Sequence, residues 1–139
     1  MPSKTIVARP MHWLWPLLLL IGVITALLAW MVISLQSGRQ SGWMALPVAL
    51  EVVWMLRLGT FPRGRARSVV AVLATAVVVA AANWMIASAQ FGLSMGMDPW
   101  SSAAKMSTGL AWTLTQLANG PLDLVCALLG LVLAAWLAR

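Results

Sequence analysis

From Met11 to Leu35 the chain runs without a single Asp, Glu, Lys or Arg. Such a run leaves few options. Buried in hydrocarbon, every main-chain N–H and C=O must find a partner within its own segment, and an α-helix is the local way to do so. At about 1.5 Å of rise per residue the run exceeds the roughly 30 Å of a bilayer core. Lys4 and Arg9 precede it, as in a signal peptide. The apolar stretch is too long for a cleaved signal and no clean small-x-small site follows, so it reads as a retained first span. His12, Trp13 and Trp15 stand at its start, where amphipathic rings favour the membrane–water interface.

The pattern recurs. A second apolar segment covers about residues 43–58, interrupted by Pro47, Glu51 and Arg57, and a third covers about 68–89, rich in Ala and Val. The last third is too long for one crossing. Asp98-Pro99 is a helix start and Asn119-Gly120-Pro121 a break, with Asp123 in the first turn that follows. The segment therefore divides into a helix over 99–118 and a fourth span over 121–138. In the former, Trp100, Ala103, Ala104, Met106, Leu110, Ala111, Leu114, Leu117 and Ala118 share one arc. Ser101, Ser102, Lys105, Thr108, Thr115 and Gln116 share the other, and Trp112 breaks the pattern. That stripe predicts a helix in the interface plane or docked on protein.

Composition agrees. Apolar residues make up 62% of the chain and charged residues 9%, against about 25% charged in soluble domains. The expected fold is all-α: an integral membrane four-helix bundle with one additional amphipathic interfacial helix on the external side. Basic residues set the orientation. Lys4 and Arg9, then Arg57, Arg63, Arg65 and Arg67, and finally Arg139 fall on one side if both termini are cytoplasmic in an inner (plasma) membrane. With a net charge of +6, Arg57, Arg63, Arg65 and Arg67 suit anionic lipid headgroups; nucleic acid is not expected as a partner.

Candidate functional residues are few. Glu51 lies near the middle of a short apolar span, where an acidic group costs about 2.5–3.5 kcal/mol on insertion scales. Helical rise places Thr75 and Gly130 at its depth, and Asn83 near that of Thr25, which predicts an interhelical hydrogen bond for the latter pair. Glu51, Thr75, Asn83 and Thr25 are thus the intramembrane polar set, serving a partner contact, a coupling site or internal packing. Catalysis is not expected. One His, one Cys and three acidic residues are scattered, with no paired carboxylates, CxxC or phosphate loop. No cofactor or metal is expected either: Met95, Met97 and Met106 offer thioethers suited to Cu(I), but in no repeated motif.

The run ALEVVWMLRLG, Ala49 to Gly59, is locally similar to the membrane-Glu helix of small multidrug transporters. In that family the Glu stands on the first helix; here it stands on the second. The family's aromatic and Gly-rich signatures are missing, and no residue role carries over. Two functions follow as expectations. The first is a non-enzymatic accessory or assembly subunit of a larger membrane complex, in contact with other subunits or with itself. The alternative is a small oligomeric proton- or cation-coupled transporter or channel using Glu51.

Overall fold

A computed structural model describes residues 13–38, 41–59 and 61–139. Lys4, Arg9, His12 and Arg39 lie outside the described residues. Among those described there is helix and no strand. The helices are α1 (Leu14–Ser37), α2 (Ala45–Leu58, entered through a 3-10 turn at Gly42–Met44), α3 (Arg65–Met95), α4 (Pro99–Lys105), α5 (Thr108–Ala118) and α6 (Pro121–Leu137).

Two helices, α1 and α3, are long and apolar enough to cross a membrane. The segments Thr108–Leu117 and Pro121–Leu137 meet the same test only together, across a bend of 106°. The sharp break has a local cause. Pro121 has no N–H to continue a helix and Gly120 takes an extended conformation before it.

Two segments depart from the sequence reading. Helix α3 extends past residue 89 to Met95 and ends on a left-handed Gly96. The 99–118 stretch is two helices rather than one. Met106 and Ser107 are extended between them, and the Ser107 hydroxyl accepts the Leu110 N–H. A Ser side chain offers the backbone this alternative to helix continuation, and here it starts a new helix. Buried Met106 packs with Ala87 and Ala111, which holds the break in place.

Apolar side chains fill the core and also cover the outside. Ala26, Ala45, Ala49, Ala71, Ala82, Ala134 and Ala138 are buried together with Trp30, Leu56 and Ile86, while Leu20, Leu28, Leu73, Val77, Leu128 and Val132 are exposed. Small side chains let helix backbones approach closely, and the exposed large apolar ones stand where hydrocarbon would surround them. Gly130 marks a close approach of α6 to α2: a Cβ there would lie 2.8 Å from the main-chain oxygen of Ala45.

Helix α2 packs against α1, α3 and α6. It runs antiparallel to α1 and parallel to α6, since Gly42 meets Asp123 at one end and Arg57 meets Leu137 at the other. Helix α3 is antiparallel to α6, Ser68 bonding to Ala135. Its last turns carry α4, fixed where the buried Ser102 hydroxyl donates to the Ser88 carbonyl at 2.8 Å.

Candidate functional site: a carboxylate at a helix seam and a polar-lined cavity

Glu51 is half-buried on α2. Its neighbours on the helix divide sharply. Val48, Val52 and Leu56 are buried, whereas Leu50 and Trp54 are exposed, Trp54 by 66%. The carboxylate therefore lies at the border of the core-facing stripe, on the side that meets α1. There the Thr25 hydroxyl donates to Glu51 Oε1 at 2.6 Å. The same hydroxyl oxygen lies 3.0 Å from the carbonyl oxygens of Ile21 and Gly22. A hydroxyl has one proton to donate, so the carboxylate and the α1 backbone compete for it. Thr25 itself is exposed, flanked by exposed Ile21, Ile24 and Leu28. The pair is thus an open polar point in an otherwise apolar seam.

The other members of the polar set lie elsewhere. Thr75 is fully buried and its hydroxyl donates to the Ala71 carbonyl of its own helix, at 2.8 Å. Gly130 makes room for Ala45, not for Glu51. Asn83 lines a cavity on another side of the molecule, between α3, α5 and α6. The structure brings together Glu51 and Thr25; Thr75 and Asn83 are apart from them.

That cavity, about 590 Å³, was not foreseen. Its α5 wall consists of Thr108, Ala111, Trp112, Thr115, Gln116 and then Asn119, the last residue of the turn. At about 100° per residue these positions share one side of the helix. Thr108, Thr115 and Gln116 of the expected polar side thus line the cavity together with Ala111 of the apolar side; half-buried Leu114 packs against the Ala87, Met106 and Ala111 cluster, while Leu110 and Leu117 are exposed, Leu117 by 80%. Trp112, the residue that broke the pattern, belongs with the cavity wall.

The arginines divide as well. Arg63 and Arg65 are exposed. Arg57 Nη2 donates to the Leu137 carbonyl at 2.8 Å. Arg67 is buried and donates from Nε to the Ala138 carbonyl and from Nη2 to the main-chain oxygen of Arg139 at 3.0 Å. With Ser68 on Ala135 at 2.7 Å, these groups satisfy carbonyls that a helix end leaves without partners, and they place positive charge at the negative end of the α6 dipole. The last turn of α6 contains no basic residue of its own, so this cap comes from α2 and α3, and sequence proximity gave no sign of it. At the opposite end of α6, Asp123 accepts the Gly120 N–H through Oδ2 and the Gly42 N–H through Oδ1, both at 3.0 Å. The helix-start carboxylate therefore also ties the turn before α2 to α6.

Among the described residues no group of three or more His, Cys, Asp or Glu is placed to hold a metal ion. No protein-family model, no curated protein and no solved structure matches the chain.

Proposed function

We propose that this chain is a non-enzymatic accessory or assembly subunit of a larger membrane complex, and that it meets its partner along the seam of α1 and α2. The observation that carries the reading is the half-buried Glu51, hydrogen-bonded to an exposed Thr25 at that seam. An acidic group turned toward hydrocarbon costs about 2.5–3.5 kcal/mol. A polar donor on a partner helix offsets that cost, while exposed Leu50 and Trp54 supply apolar contact around it. The proposal includes four crossings of an inner membrane with both termini cytoplasmic. In that arrangement exposed Arg63 and Arg65 meet anionic headgroups, as does the outward side of Arg57.

Affinity purification of the full chain in mild detergent tests the reading. A co-purifying membrane protein is expected with the wild type and not with Glu51→Ala, and Thr25→Val should weaken the association. Recovery of the wild-type chain alone, or an association unchanged by Glu51→Ala, overturns it. A transport mechanism through Glu51 draws less support from the geometry. The carboxylate lies at the α1–α2 seam, whereas the cavity lies between α3, α5 and α6.

A further inference from the structure

We propose that the cavity between α3, α5 and α6 is a binding site for one uncharged amphiphile from the membrane, a molecule with a hydrogen-bonding head and a single hydrocarbon tail. The inference is independent of the Glu51 seam.

Three features of the cavity specify this occupant. The first is size. About 590 Å³ lies within the roughly 300–1,000 Å³ of small-molecule sites. The second is the grading of the lining. Because α3 and α6 are antiparallel, Ala76, Val79 and Leu131 define one end, all apolar, and Asn83 and Asn119 lie toward the other, beside Leu124. Thr115 and Gln116 on α5 extend the polar end. Hydroxyls and carboxamides both donate and accept, and the lining contains no Asp, Glu, Lys, Arg or His. A charged head would enter without a counter-charge, whereas hydroxyl, ester or amide groups find matched partners. The third is access. Trp112 lines the cavity while 66% exposed, and Leu124 while 59% exposed. The mouth is therefore framed by apolar side chains on the outer surface, the side from which a membrane lipid would enter.

On α5, Ala111 and Leu114 pack with Met106 and Ala87, and Thr115 and Gln116 line the cavity beside them.

A brominated monoacylglycerol is a suitable probe, since bromine quenches tryptophan on contact and Trp84 and Trp112 both line the site. The full chain in maltoside micelles should show a saturable quenching component above the linear background from its other tryptophans. Ala80→Phe, which fills the cavity from the α3 wall, should remove that component. The matching brominated fatty acid, ionised at neutral pH, should bind about tenfold more weakly or worse, the equivalent of one unmatched polar group. Quenching that is non-saturable, or saturable but unaffected by Ala80→Phe, overturns the site. Equal or tighter binding of the fatty acid overturns the assignment of an uncharged head. If Ala80→Phe alters the elution volume or helical content, the double variant Trp84→Phe, Trp112→Phe decides. Loss of the saturable component there supports the site, and its persistence refutes it.

Discussion

Replacing Gly130 with Ala probes the contact that brings α6 against α2. The added Cβ would lie 2.8 Å from the Ala45 oxygen, 3.1 Å from its carbonyl carbon and 3.2 Å from its Cβ. These are main-chain or first-carbon atoms, so no flexible side chain can move aside. Ala45 is also anchored: it follows the turn whose Gly42 N–H is held by Asp123. Relief requires shifting one helix against the other, which costs about 1–3 kcal/mol in a packed core. Against this, Ala is favoured over Gly inside a helix by about 1 kcal/mol. The net expectation is a loss of about 1 kcal/mol. Gly109→Ala is the matched control, because a Cβ at Gly109 meets nothing within 4 Å. It should be neutral or stabilise by up to about 1 kcal/mol. Reversible unfolding in mixed maltoside–SDS micelles, followed by circular dichroism, measures both. If Gly130→Ala stabilises as much as Gly109→Ala, the close approach of α2 and α6 is wrong.

Further outcomes follow from the caps and the seam. Arg67→Met should destabilise by about 2–4 kcal/mol, since the carbonyls of α6 lose charged donors in a buried setting. Exposed Arg65→Met should change stability by less than about 0.5 kcal/mol in the same unfolding assay. Asp123→Ala removes the acceptor of two backbone N–H groups and should cost about 2 kcal/mol, with faster amide exchange at Gly42 and Gly120. Ser102→Ala should cost about 1 kcal/mol and speed exchange in α4 while leaving α2 protected, because its bond to Ser88 joins only α3 and α4. In proteoliposomes the wild type should pass no more protons than empty vesicles. Flux that disappears in Glu51→Gln would transfer the assignment to the transport alternative.

What the sequence determined by itself is whatever rests on local rules. Runs of apolar residues imply helix, because a backbone in hydrocarbon must bond to itself. Pro121 after Gly120, and Asp98 before Pro99, mark helix starts through backbone geometry that no distant contact is needed to read. Ser107 is the same kind of signal, hidden because the apolar arc continues unbroken across it. Helical rise also gave depth, and depth proved insufficient. Helical rise placed Thr75 and Gly130 at the depth of Glu51 and Thr25 nearer that of Asn83, yet Thr25 is the partner of Glu51 and Gly130 meets Ala45. Depth fixes position along a helix, whereas the rotation of each helix about its axis decides which side chains meet, and rotation is set by packing. The alternation of polar and apolar residues on α5 likewise revealed two faces without saying what each would face. Only the docking of α5 on α3 decided which of its residues line the cavity. The α6 cap by Arg57, Arg67 and Ser68 is tertiary for the same reason. Its donors and acceptors are about seventy or more positions apart in the chain and become neighbours only when three helix ends are brought together.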